Sequence, residues 1–214
     1  MATPLRNRDD GEAPASLLSI LSFNTFKLLD LAGLPALLRE NRPHFVFLQE
    51  VAPSVQLLAV AAAAGYTAYK SVSVSPRRIM AVLSRVPDVQ VSDLEAGYVQ
   101  FLQWGPLSFV HVHLPSGNKE HVAREAMIRR LRPRLRLPVP PIILGDFNCV
   151  LHQLDTEDDR FRVNYRFSQA LEDTVSEFRY MDSFGVLHPC ARAFSWHRQG
   201  QLSSRYDRAY IPPS

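Results

Sequence analysis

Hydrophobic positions along the chain fall in short blocks that switch between a two-residue and a helical period. Residues 17–23 read as a strand ending at Asn24-Thr25, and Leu31, Leu34, Leu37 and Leu38 then recur at helical spacing over 28–39. After Pro43, the run Phe45-Val46-Phe47-Leu48 forms a second buried strand that leads into Gln49-Glu50. A helix is predicted over 54–64, with Gly65 as its stop. Short strands follow near 68–74, 79–84, 86–94, 98–103 and 107–114, and a long amphipathic helix over 120–135. The apolar run over 141–144 reads as a strand buried on both faces, and Gly145 after it permits a turn or the close approach of a ligand. An acidic loop (Asp155, Glu157, Asp158, Asp159) precedes a helix over 167–178, which continues through 180–188 to a turn at Pro189. Closing strands are expected over 193–196 and 206–211. Alternating strands and helices at both ends, with a β meander between them, predict a layered α/β sandwich rather than a simple parallel sheet.

A chain of 214 residues with 46% apolar and 21% charged residues suits one large domain with a substantial core. Residues 1–15 read as a disordered leader and 16–214 as that domain. The net charge of +3 permits a polyanionic partner without requiring one, and nearly all of it is arginine. Cys149 and Cys190 form no CxxC pair, so no disulfide framework or thiolate zinc site is indicated. No apolar stretch is long enough to span a membrane, and the polar N-terminus lacks the core of a signal peptide. An intracellular location, nuclear or cytoplasmic and not secreted, is therefore expected, with no stable protein partner evident.

Polar residues cluster at the ends of the predicted strands: Asn24, Glu50, His113, the Asp146/Asn148 pair and Asp207. Asp146 and Asn148 are two apart, which in extended chain turns both to one side. His111 and His113 share a face in the same way. Taken singly, each has an ordinary reading. Asn24 could form a turn, Glu50 could sit near a helix N-cap, and His113 could be a surface histidine. His111 reads better as an ordinary histidine outside the site, and Asp207 as a salt bridge with Arg205 or Arg208. Jointly they point to a site at one sheet edge, where α/β enzymes build theirs. Arg77-Arg78, in a predicted loop, is a candidate phosphate contact. The arginines 124, 129, 130, 132, 134 and 136 read better as a solvated helix face than as a DNA contact, and Tyr98, Phe101 and Trp104 better as sheet packing than as base stacking.

The order Leu-Ser-Phe-Asn24-Thr, Phe-Leu-Gln-Glu50, His-Leu-Pro115, Leu-Gly-Asp146-Phe-Asn148 and Ser204-Arg-Tyr-Asp207 resembles the endonuclease/exonuclease/phosphatase superfamily from residue 17 onward. Within it, the chain looks most like the apurinic-endonuclease-type domain of non-LTR (LINE-type) retrotransposons. Gly-Asp-Phe-Asn-Cys-Val-Leu, the segment from Met181 to Pro189 and Phe194-Ser195-Trp196 carry that likeness. The resemblance implies a DNase I-like, four-layer α/β sandwich of two mixed sheets flanked by helices. It also implies a site in which Glu50, with Asn24, holds Mg²⁺ or Mn²⁺. Asp146 would position or activate the attacking water, and Asn148 would orient it. His113 would stand near the leaving oxygen, Asp207 beside the metal, and Ser195 on a phosphate.

The family's last motif, a Ser-Asp-His triplet, is absent, and none of His121, His152, His188 or His197 stands in the right chain order to replace it. The expectation is a domain cut short before that motif, without two closing strands of the second sheet and with its activity in question. The leading functional expectation is a Mg²⁺-dependent DNA endonuclease that nicks target DNA, as in a non-LTR retrotransposon. One alternative is a phosphoesterase of the same superfamily acting on RNA, lipid or another phosphoester. Another is a catalytically dead remnant that at most binds nucleic acid.

Overall fold

A computed structural model describes residues 17–26, 33–52, 56–72, 79–163, 166–197 and 202–213. The expected leader, Arg77 and Arg78 lie outside the described residues. Along the chain run β1 (Ile20–Asn24), α1 (Leu34–Asn41), β2 (Phe45–Val51), α2 (Leu57–Ala63), β3 (Thr67–Lys70) and β4 (Ile79–Ser84). Then come β5 (Gln90–Glu95), β6 (Val99–Trp104), β7 (Leu107–His113), α3 (His121–Leu135) and β8 (Ile142–Asp146). The described chain closes with α4 (Gln169–Glu177), β9 (Met181–Asp182), α5 (Ser183–Leu187) and β10 (Asp207–Ile211).

The strands form two mixed sheets, one ordered β1-β2-β4-β3 and the other β5-β6-β7-β8-β10-β9. Three apolar clusters stack through them. Phe45, Phe47 and Val82 of the first sheet meet Leu102, Phe109 and Leu144 of the second. Leu34, Leu38, Leu57 and Ala61 of α1 and α2 cover the outside of the first sheet. Ile128, Leu131, Ala170 and Leu171 of α3 and α4 cover the outside of the second. The result is the four-layer α/β/β/α sandwich expected. Buried apolar residues on both faces explain why β2, β4 and β8 read as continuous runs rather than alternating ones.

Local details differ from the expected pattern. The chain over 180–188 does not prolong a helix. Met181–Asp182 pairs with the end of β10, and Asp182 then caps the new helix α5 by accepting the Phe184 N–H at 3.1 Å. Of the two expected closing strands, Trp196 makes only an isolated bridge to Ser204, and β10 is interior, between β8 and β9. Gly145, at φ 130°, serves strand packing and not a ligand: a Cβ there would lie 2.1 Å from the Val112 carbonyl oxygen of the adjacent strand.

The six arginines of 124–136 are engaged within the protein. Arg130 meets Glu95 at 2.6 Å, Arg132 and Arg136 meet Glu177, and Arg129 meets Glu125. Arg124 is buried and donates to the Pro115 carbonyl, and Arg134 lies over Phe101. Trp104 packs edge-on against Phe45. The aromatic residues pack in the sheet as expected, and the helix face is solvated except at Arg124, which is buried.

Candidate active site

The strand register builds a row of polar side chains across the second sheet. His113 of β7 lies beside Asp146 of β8, and Asp146 lies beside Asp207 of β10. The first sheet contributes Asn24 from the end of β1 and Glu50 from β2. A register shift interrupts the β2–β4 pairing between Leu48 and Val51, and Glu50 within it takes φ 51°. Such a bulge re-aims a side chain that regular pleating would send elsewhere.

Hydrogen bonds tie the two sheets together at this edge. Asn24 Nδ2 donates to Asp146 Oδ2 at 2.9 Å and to Glu50 Oε1 at 3.2 Å, while its Oδ1 accepts the Phe26 N–H at 2.8 Å. His113 Nε2 stands 3.4 Å from Glu50 Oε1. Asn24 thus sets the spacing of two carboxylates from opposite sheets, an interaction with no trace in the sequence.

The pairing of Asp146 with Asn148 has a different origin from the one expected. The strand ends at Asp146, and Asn148 turns into the left-handed region at φ 49°. Its N–H donates to Asp146 Oδ1 and its side chain to the Leu114 carbonyl, both at 2.9 Å. The two residues are joined by an Asx-type turn and not by a shared strand face. Asn148 therefore steadies the Asp146 carboxylate and clamps the end of β8 to the chain leaving β7.

Ser195 Oγ accepts the N–H groups of Tyr206 and Asp207 at 3.0 and 3.1 Å, which holds the start of β10 at the site. A cleft of about 720 Å³ opens here, lined by Asn24, Asp146, Ser195 and Asp207 and also by Trp196 and His197. His197, out of chain order to replace the missing motif, nonetheless lines this wall, where its ring meets Ser203 Oγ and the Phe194 carbonyl. His111 lies apart. It is fully buried between Gln49 and Gln100, and burial together with the neighbouring His113 lowers its pKa to about 3, so it stays neutral.

Asp207 does not pair with Arg205 or Arg208. Those arginines are taken by Asp155, whose two oxygens receive Arg205 Nε at 2.9 Å and Arg208 Nη2 at 2.9 Å. Arg205 also reaches Asp182, and Arg208 Nη1 donates to the Cys149 carbonyl at 2.7 Å. The acidic loop at Asp155 is thus a buried anchor for β10, which the sequence reading missed. Its only signal was an Asp and two Arg far apart in the chain.

Burial and neighbouring charges perturb the carboxylates of the site. Burial raises the pKa of Asp146, and the Glu50 charge adds to this against the pull of His113, Asn24 and the Asn148 N–H. Burial and the Asp146 charge lift Asp207 to about 6. Asp207 Oδ1 is buried and accepts no hydrogen bond. Among the described residues, no three His, Cys, Asp or Glu side chains are already gathered tightly enough to hold a metal. The donor chemistry nonetheless fits a hard divalent cation: carboxylates from three strands, one orphaned oxygen, and raised pKa values that a positive charge would reverse.

No curated protein matches the sequence. Among solved structures, an AP endonuclease from Archaeoglobus fulgidus is similar, at 18% identity and TM-score 0.77 over 91% of this chain and 86% of that one. A 3′ phosphatase from Neisseria bound to a product DNA hairpin is similar at 18% identity and TM-score 0.76, over 92% and 87%. A 3′-5′ exonuclease from Neisseria meningitidis matches at 19% identity and TM-score 0.76, over 91% and 87%. These likenesses establish the DNase I-like fold. Residues 21–213 match a family profile that spans β1 to β10, and so includes every strand that carries the site: the chain belongs to the endonuclease/exonuclease/phosphatase family.

Proposed function

We propose that this protein is a metal-dependent phosphodiesterase that nicks DNA, in the manner of the endonuclease of a non-LTR retrotransposon. The observation that carries the reading is the meeting of Glu50, Asp146 and Asp207 with Asn24 and His113 at one edge of both sheets. A divalent cation bound there would supply positive charge to a phosphate oxygen as negative charge develops on it. Glu50 and Asp207 are the side chains that would hold it, with Asn24 keeping Glu50 in place. Asp146, with its raised pKa, is suited to take a proton from the attacking water, and the Asn148 N–H keeps its carboxylate aimed. His113, beside Glu50, would hydrogen-bond the departing oxygen, and Ser195 lines the cleft through which a phosphate would enter.

The DNA substrate is supported by the structural neighbours, one an AP endonuclease and another a phosphatase bound to a product DNA hairpin. The retrotransposon type rests on the segment from Met181 to Pro189 and on Phe194-Ser195-Trp196. The test is nicking of supercoiled plasmid with Mg²⁺ or Mn²⁺, beside Glu50→Ala and Asp146→Ala. The expected result is open-circular product from the wild type and a loss of about 100-fold or more in either variant. Persistence of supercoiled DNA with folded wild-type protein would instead favour another phosphoester or a non-cleaving binder.

A further inference from the structure

At the other end of the first sheet lies a small basic pocket that the catalytic reading does not use. It is lined by Leu38, Arg39 and Arg42 at the end of α1, by Ala64, Gly65 and Tyr66 after α2, and by Arg85 after β4, and it encloses about 250 Å³. Three arginines are among its walls, and no carboxylate is. None of the three forms an ion pair among the described residues. The contrast with α3 is sharp, since every arginine from 124 to 136 has an internal partner.

Helix capping does not account for these arginines. The carbonyls at the end of α1 and α2 already receive backbone N–H groups: Arg42 N–H to Leu38, Gly65 N–H to Ala62, and Tyr66 N–H to Ala61. Tyr66 donates its hydroxyl to the Pro43 carbonyl at 2.7 Å, which fixes the phenol as a rigid wall. Burial raises the pKa of that phenol and the charges of Arg85 and Arg42 pull it back, so both charges bear on the same small space. Arg85 Nε is shielded from solvent and has no acceptor. A buried donor without an acceptor, beside two further positive charges, is a costly arrangement that one anion would relieve.

We infer that this pocket binds a phosphate group. Guanidinium forks match the paired oxygens of a phosphate, and the volume admits one phosphoryl group with part of the unit that carries it. Ser84 pairs with Phe45, five residues from Glu50 along β2, so the pocket lies roughly 17 Å from the catalytic edge. It is a separate site and stands whether or not the protein cleaves DNA.

The probe is inorganic phosphate, titrated into metal-free protein in chelator and followed by amide NMR. The expected result is saturable shifts at Arg42, Gly65, Tyr66 and Arg85, weakened about tenfold or more in Arg85→Gln and in the surface variant Arg42→Gln. Well-dispersed spectra of both variants separate lost binding from lost fold. Absence of saturable shifts, or equal shifts in wild type and both variants, overturns the inference. A single-stranded oligonucleotide then identifies the source of the phosphate. If the group is a strand phosphate, each substitution lowers the salt slope of oligonucleotide binding by about one. If it is free phosphate or a mononucleotide, the oligonucleotide binds both variants as it binds wild type, while the phosphate shifts are lost.

Discussion

At Asp207 a carboxylate is packed beside Asp146 with one oxygen buried and unpaired, and its pKa rises to about 6. A carboxyl whose folded pKa lies above its unfolded one keeps its proton more tightly in the folded state. It therefore supports folding at pH below about 4, and that support is lost as the pH climbs through 6. The loss is about 3 kcal/mol in metal-free protein. Asp207→Asn removes this dependence. In urea denaturation with chelator, the variant is expected to be more stable than wild type above pH 6, with the two curves meeting below pH 4. Parallel curves across that range would show that Asp207 is not held in this environment.

At the scale of elements, β10 brings Asp207 to the site and is held from behind by Asp155, Arg205 and Arg208. Burial opposes the Asp155 charge, but Arg208 and Arg205 outweigh it and lower its pKa. Arg208 is wholly enclosed, so losing its partner leaves a charge with no water to solvate it. Asp155→Ala is expected to cost about 3–5 kcal/mol, read as a fall in the urea midpoint at neutral pH. Because Asp155 touches no residue of the proposed chemistry, nicking at low temperature should fall only as far as the folded fraction does. A variant that stays fully folded yet loses all nicking would assign Asp155 a role in the reaction itself.

At the scale of the whole molecule, two sheets are joined at the catalytic edge by Asn24, and the carboxylates of Glu50, Asp146 and Asp207 gather there. A bound cation would stabilise the folded state by mass action, by about 2.7 kcal/mol at a hundred times its dissociation constant. For a domain of this size that is a rise in Tm of about 5–10 °C. The expected outcome is such a rise for wild type on adding Mg²⁺ or Mn²⁺, and little change for Glu50→Gln. Identical rises in both proteins would mean that the cation binds elsewhere.

Much of this was legible in the chain itself. Buried runs such as Phe45–Leu48 and Ile142–Leu144, set between amphipathic helices, pointed to a layered α/β sandwich, because burial on both faces needs a layer on each side, and the family motifs added that the layers include two mixed sheets. Asn24, Glu50, His113, Asp146 and Asp207 stood out because strand ends give polar residues no core to serve. The tertiary structure alone decided how they are held. A bulge turns Glu50 to the site, an Asx-type turn attaches Asn148 to Asp146, and strand order sets β10 between β8 and β9. Those outcomes depend on register and on partners distant along the chain. Asp155 and its two arginines, 50 and 53 residues away, were invisible in sequence for that reason. His197 likewise entered the cleft through folding, since its place there depends on where the chain returns and not on its order among the motifs.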